Sequence, residues 1–286
     1  VYMTFTPEAG MTETVAAFVN NIQDGQSLVN ATWDDASEKI HSLNGENGHL
    51  SESVMKQILS AYSPHEREMR RYGRPSIGSG LIFPVNEENL MVDPIVLEDH
   101  WPRIAAIDFG WDHPTAVVWC AIDRDEDTFY IYDCHRESKA SPAVHAKVIS
   151  RRPHYIPVAY PHDGNRRDSM GNPGLAEQYR SLGCNFLLAH FANPPALGSD
   201  KGSNSVEEGL MAMLQSMEAG RFKVFSTLNY WFEEFRMYHR KSGKVVPFRD
   251  DLMSATRYAF QSQRYAVSGK DPAWTQDITY KNYGII

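Results

Sequence analysis

Four aspartates sit where a chain could carry out phosphoryl chemistry. Asp108 closes an apolar run at residues 103–107, in Ile107-Asp108-Phe109-Gly110-Trp111-Asp112. Asp163 follows a second run at 156–160, in Tyr160-Pro161-His162-Asp163-Gly164. Asp250 and Asp251 open a final helical stretch, in Phe248-Arg249-Asp250-Asp251-Leu252. Side chains at strand ends project from a rigid edge, where layered α/β folds place their sites. Carboxylates gathered there repel one another and lose hydration on burial. Mg2+ or Mn2+, which prefer oxygen ligands, would supply the compensation. Two such ions roughly 3.5–4 Å apart suit phosphodiester hydrolysis, one acidifying the attacking water and the other stabilising the leaving oxygen. On this reading Asp108 bridges both ions, while Asp163 and one of the paired aspartates hold opposite sides. Each aspartate taken alone also fits a turn or a helix cap. Spacing by itself leaves both readings open.

The elements that must position these residues follow from hydrophobic periodicity. Runs at 103–107, 116–122 and 128–134, divided by short polar loops, predict three strands in an antiparallel meander. A helix over 142–149 starts on Ser141, a strand spans 156–160, and a helix runs from about 173 to 182. Then come a strand at 185–189, a methionine-rich amphipathic helix at 206–219 and a strand at 222–225. An aromatic helix at 228–239, a hairpin turning at Gly243 and a helix at 250–260 complete the pattern. This order predicts an α/β fold, a mixed sheet with helices on both faces. Upstream, the pattern predicts a strand at 1–6 and helices at 12–20, 34–40, 51–62 and 64–72. A short strand at 81–85 and an acidic loop at 86–101 follow, which puts a domain boundary near residue 97.

Composition limits the possibilities. A net charge of −8, from 28 basic and 36 acidic residues, argues against a protein that coats DNA over its whole surface. It leaves room for a nuclease, because metal ions cancel carboxylate charge locally and a short basic patch can hold a phosphate backbone. Cys120, Cys134 and Cys184 lie far apart and read as reduced, buried small hydrophobes. The first residues lack the basic region and apolar run of a secretory leader, and no apolar stretch approaches the roughly eighteen residues of a membrane span. These features predict a soluble intracellular protein.

Longer motifs then add a resemblance. The run from Ile104 to Ala116, the segment Val158-Ala159-Tyr160-Pro161-His162-Asp163-Gly164, and Gly220 to Phe225 resemble the nuclease domain of tailed-phage terminase large subunits, especially the podophage type. Trp231-Phe232-Glu233-Glu234-Phe235-Arg236 and the run from Arg249 to Tyr258 continue the likeness, which covers nearly all of residues 100–260. The resemblance implies an RNase H-like (retroviral-integrase-like) fold. It also implies a two-metal endonuclease, using Mg2+ or Mn2+, that cuts concatemeric viral DNA at the start and end of packaging. The family's first acidic position falls on Asp108, its second on Asp163 and its last on Asp250-Asp251, with the principal ligand of that pair left open. Asp112 fits an auxiliary acid or a turn. Met3-Thr4-Phe5-Thr6-Pro7, Gly10-Met11 and the stretches at 62–67 and 80–85 resemble the late part of the motor domain. Residues 1–96 therefore read as the end of an ATPase domain with its linker, 97–265 as the nuclease domain and 266–286 as a C-terminal tail. No G-x-x-x-x-G-K-[ST] phosphate loop is present, so ATP would be handled only by a core outside these residues.

The strongest candidates for holding a DNA backbone are Arg236, His239, Arg240, Lys241, Lys244 and Arg249, just before the last acidic pair. Arg166 and Arg167, after Asp163, form a smaller set. Such contacts would be salt-dependent and largely blind to sequence, although a solvated charged loop fits the same residues. His162 fits an orienting residue or an ordinary loop histidine. The resemblance further implies double-stranded viral DNA, portal protein and terminase small subunit as partners, no membrane, and a place in the host cytoplasm, transiently docked on the procapsid. Two other readings stand beside it: a Holliday-junction-resolvase-like nuclease, and a catalytically weak docking module of the packaging motor.

Overall fold

A computed structural model describes residues 22–37, 48–62, 70–73, 80–166, 173–194, 202–203, 205–241 and 244–269, with Thr4, Val15, Phe18 and Arg67 as single positions. The strands β1 (Met91–Val92), β2 (Arg103–Asp108), β3 (Thr115–Asp123), β4 (Thr128–Glu137), β5 (Val158–Ala159) and β6 (Phe222–Phe225) form one mixed sheet. Their order is β1-β6-β4-β3-β2-β5. The expected meander is its centre: β2 pairs antiparallel with β3 and β3 antiparallel with β4. Parallel neighbours flank it, β5 beside β2 and β6 beside β4. A separate hairpin joins β7 (Arg240–Lys241) to β8 (Lys244–Val245). The helices whose bounds lie among the described residues are α1 (Glu52–Ser60), α2 (Glu87–Leu90), α3 (Pro142–Ile149), α4 (Leu175–Ser181), α5 (Val206–Glu218), α6 (Asn229–Met237) and α7 (Asp251–Gln261).

Two cores lie on opposite faces of the sheet because successive side chains of a strand point to opposite sides. Ile104 and Ala106 of β2 join Ala116, Val118 and Cys120 of β3 under α5, α6 and α7. Ala105, Ile107, Val117 and Trp119 face the other way and pack against α3 and α4. All nine residues of β3 are buried, which is why this strand reads as one apolar run instead of alternating. Within the larger core the Trp231 indole N–H donates to Thr256 Oγ1 at 2.9 Å, and that hydroxyl donates to the Leu252 carbonyl at 2.7 Å. Leaving either buried group unpaired would cost about 1–3 kcal/mol, so the pair fastens α6 to the first turn of α7.

The structure departs from the sequence pattern in several places. Residues 185–189 form no strand, only an isolated bridge from Phe186 to Val158. Arg180 takes the Leu187 and Leu188 carbonyls with its guanidinium, so these acceptors are spent on a side chain and not on a ladder. Residues 81–85 likewise reduce to a bridge between Leu81 and His239. The segment expected as an acidic loop holds α2 and β1, and β1 pairs parallel with β6. Its side chains lack alternation because two residues are too few to show a period. The sheet thus draws its edge strand from chain before residue 97, and Val267 bridges Arg103 beyond residue 265. Upstream, Asp34–Ala36 is a single 3-10 turn and α1 starts on Ser51, whose hydroxyl accepts from the Val54 N–H. Apart from Thr4, Val15, Phe18 and Arg67, the expected strand at 1–6, the helix over 12–20, residues 38–40 of the next helix and residues 64–69 lie outside the described residues. Cys120, Cys134 and Cys184 are free thiols. Among the described residues no helix is long and apolar enough to cross a membrane.

Candidate metal centre

Parallel pairing of β2 with β5 places Ala106 opposite Ala159, so the chains leaving both strands emerge at one edge of the sheet. Asp108 is the last residue of β2, and Asp163 sits in the 3-10 turn His162–Asn165 just past β5. Two glycines let the loops close up. A Cβ on Gly164 would come within 2.7 Å of the Phe109 and Tyr160 rings, and one on Gly110 would overlap the His113 and Pro114 carbonyls. The Thr115 hydroxyl, donating to the Gly110 carbonyl at 2.8 Å, ties off the loop after Asp108.

The third arm enters through Arg249, whose φ of 51° lies in the left-handed region that costs a non-glycine residue energy. Its guanidinium is held by Glu233 Oε1 at 2.6 Å. The other oxygen of Glu233 takes Arg136 Nη2 at 2.7 Å, and Arg136 Nη1 donates to Glu234 Oε1 at 2.9 Å. Glu234 is fully buried, and its second oxygen accepts the Leu252 N–H at 2.6 Å. Burial pushes this carboxyl up to about 7, against the pull of Arg136 and the Leu252 N–H. A helix start whose amide would be satisfied by its own cap is satisfied here by a glutamate from α6. Asp250 occupies the cap position of α7 but makes no side-chain capping bond, which leaves its carboxylate available.

The electrostatics of the edge are one-sided. Burial raises the Asp108 pKa well above the usual carboxylate range, and the negative charges of Asp251, Asp250 and Asp163 raise it further, in that order. The Tyr258 hydroxyl, hydrogen-bonded to the carboxylate, acts in the opposite direction. Burial and then Asp251 push Asp250 up to about 6, and burial raises Asp251 as well, while His113 partly offsets both. Carboxylates gathered at one edge, with Asp108 and Asp250 both raised by burial and by neighbouring aspartates, form a donor set suited to hard divalent cations. No three of these carboxylates bring ligand oxygens within 4.8 Å of one another. Oxygens about 2.1 Å from one Mg2+ lie at most about 4.2 Å apart, so the spread exceeds a one-ion cage. Asp112 is exposed and lines the same cleft as His113, Glu137, Arg249 and Asp251.

The basic candidates separate into two groups. Arg236 holds the buried Glu87 at 2.7 and 3.2 Å, Arg240 pairs with Glu207 at 2.6 Å, and Arg249 serves Glu233 as described. The His239 ring nitrogen Nδ1 meets the Met237 carbonyl at 2.8 Å. Lys241 and Lys244 stand exposed on the β7–β8 hairpin, and Arg166 is exposed beside Asp163. Arg167 and the hairpin tip at Gly243 lie outside the described residues. Sequence reasoning missed Tyr258, His113 and the Arg136–Glu234 contact. Tyr258 had a signal: it follows Asp251 by seven residues, two helical turns on the same face. Glu234 had none, since its role depends on a partner in β4.

A mixed sheet in this strand order, with acidic residues at the ends of β2, β5 and the start of α7, is the RNase H-like fold of terminase nucleases. The chain belongs to the terminase RNaseH-like domain family, which matches residues 105–263. Residues 1–90 match a second family, described as terminase large subunit, T4likevirus-type, N-terminal. The terminase large subunit of Salmonella phage P22 is 37% identical over 270 residues, covering 94% of this chain and 51% of the relative. That of Enterobacteria phage LP7 is 38% identical over 259 residues, covering 90% and 51%. The solved nuclease domain of the P22 large terminase is 38% identical with a TM-score of 0.60, over 66% of this chain and 95% of that one. The chain spans about half the length of the curated relatives it matches.

Proposed function

We propose that this chain is a Mg2+- or Mn2+-dependent DNA endonuclease that cuts concatemeric viral DNA during genome packaging, with two ions at the aspartate edge. The observation that carries this reading is the environment of Asp108, where burial and three further aspartates all act against its charge. Ions held there would acidify the attacking water and neutralise the phosphoryl group. Asp108 would bridge them, Asp163 would hold one side and Asp251 the other. Asp251 is favoured over Asp250 because it is the more buried of the two and weighs more heavily on Asp108. Asp250 and the exposed Asp112 would tune the site from its rim. The Tyr258 hydroxyl would orient Asp108, and the Arg249–Glu233–Arg136–Glu234 chain would hold the start of α7 in register.

Lys241, Lys244 and Arg166 would hold the backbone of double-stranded DNA, with Arg167, His239 and Arg240 adding to the patch. The match of residues 1–90 supports reading 1–96 as the end of an ATPase domain and linker, with Met91–Val92 lending an edge strand to the nuclease sheet and ATP handled by a core outside this chain. Portal protein, terminase small subunit and docking on the procapsid in the host cytoplasm would belong to the whole motor. Cleavage of linear duplex DNA with Mg2+ or Mn2+, compared between the unaltered chain and Asp108→Asn, tests the reading. Asp108→Asn should be inactive and folded. Full metal-dependent cleavage by a clean Asp108→Asn preparation would sink it, and a strong preference for four-way junctions would favour the resolvase alternative.

A further inference from the structure

A second group of ligating side chains lies on the opposite face of the sheet from α7. His135 and Glu137 are two apart on β4, so they share one face, while Arg136 between them points to Glu233 and Glu234. The next element, α3, packs on that same face and presents His145 from its first turns. His135 Nε2 lies 3.3 Å from His145 Nδ1 and 3.7 Å from a Glu137 oxygen. Among the described residues these are the one trio of His, Cys, Asp or Glu whose ligand atoms all lie within 4.8 Å of one another. The spacing fits a tetrahedral ion, since nitrogens about 2.05 Å from zinc stand about 3.3 Å apart.

A second observation is independent of that spacing. His145 is 1% exposed, and its Nε2 has no hydrogen-bond partner. Buried imidazole nitrogens are normally satisfied, so a buried ring whose Nδ1 meets another imidazole and whose Nε2 is orphaned is short of partners. Burial also favours the neutral form of both rings, the form that ligates metal. Two imidazoles and a carboxylate prefer Zn2+ or a similar transition ion, whereas the all-oxygen aspartate edge prefers Mg2+ or Mn2+.

We infer that His135, Glu137 and His145 form a transition-metal site, separate from the aspartate edge, in which a Zn2+-class ion clips the end of β4 to the start of α3. Glu137 is exposed and lines the cleft that Asp251 also lines, so the ion's fourth position would open toward solvent on that side. The site uses no residue of the proposed nuclease centre and does not depend on that reading.

Zinc titration by calorimetry, with Co2+ absorption as a report of geometry, tests this on the whole chain carrying Asp108→Asn to weaken binding at the aspartate edge. One Zn2+ per chain is expected, with a visible Co2+ band of tetrahedral or five-coordinate strength. His135→Ala and Glu137→Gln, at half-buried and exposed positions, should each weaken Zn2+ by at least roughly 10–100-fold, the cost of losing even an outer partner of a ligand. Circular dichroism of each variant separates ligand loss from unfolding. Absence of Zn2+ binding, or Zn2+ binding unchanged in both folded variants, overturns the inference and leaves a hydrogen-bonded imidazole pair.

Discussion

Glu234 offers the sharpest test of how the last acidic pair is positioned. Its carboxylate is fully buried and divides its two oxygens between Arg136 and the Leu252 N–H, the second amide of α7. Glu234→Ala would leave the buried Leu252 amide without its acceptor and the half-buried Arg136 with Glu233 as its remaining carboxylate. Breaking a buried ion pair by deleting one partner costs about 3–5 kcal/mol. For a domain of this size that corresponds to a drop in Tm of about 6–20 °C. Glu234→Gln keeps the volume and one acceptor, but its amide must turn N–H against either Arg136 or Leu252. Arg136 retains Glu233 at 2.7 Å, so the loss should be that of one charge-assisted bond, about 1.5–3 kcal/mol. The first turn of α7 carries Asp251, and a displacement of about 1 Å at a reacting centre can cost about 100-fold in rate. The assay pairs thermal denaturation with initial rates of Mn2+-dependent duplex cleavage at a temperature where each variant is fully folded. The expected order is unaltered chain, then Glu234→Gln, then Glu234→Ala, in both stability and rate. Glu234→Ala with Tm within about 2 °C and cleavage within about threefold of the unaltered chain would refute the positioning argument.

Other consequences follow from the same residues. Removing charge from the aspartate edge should relieve repulsion, so Asp108→Asn should raise the metal-free Tm or leave it unchanged, measured in EDTA, while abolishing cleavage. The folded-state pKa of Asp250, about 6, lies above its ordinary value of 3.8, so the folded chain holds more protons than the unfolded one between those values. Its contribution to metal-free stability therefore falls as pH rises through that window. Mg2+ or Mn2+ should accordingly raise Tm more at pH 7.5 than at about pH 5, and EDTA should reverse the gain. Lys241→Ala with Lys244→Ala should weaken duplex binding and lower the slope of log affinity against log salt by about two, with Tm unchanged. Arg236→Ala should do the opposite: it removes the guanidinium fork from the buried Glu87, costing about 1–3 kcal/mol of stability with little change in the salt slope.

Some of this molecule was legible in its residues because the controlling physics is local. The three-strand meander, α3, α6 and α7 follow from periodicity and cap residues over eight to twelve positions, and the structure moves their ends by only a few residues. Asp108, Asp163 and the Asp250–Asp251 pair could be singled out because each stands at the end of a core element, where a charge is hard to explain by packing. The bridge-like segments at 81–85 and 185–189 and the two-residue strand β1 were misread, because pairing at a sheet edge depends on what lies opposite.

What the sequence determined by itself was therefore the set of candidate carboxylates and most of the elements bearing them. Tertiary structure alone decided which of these carboxylates share one edge of the sheet. The parallel register of β2 and β5 brings Asp163 to the edge that Asp108 occupies, across more than fifty residues of chain. Side-chain partners distant in sequence also decided the cations: Glu87 and Glu207 occupy Arg236 and Arg240, while Lys241 and Lys244 remain exposed. The same holds for His135, Glu137 and His145, whose approach rests on α3 packing back over β4. A charge's role depends on its nearest opposite charge and on its distance from water. Neither quantity exists until the chain is folded.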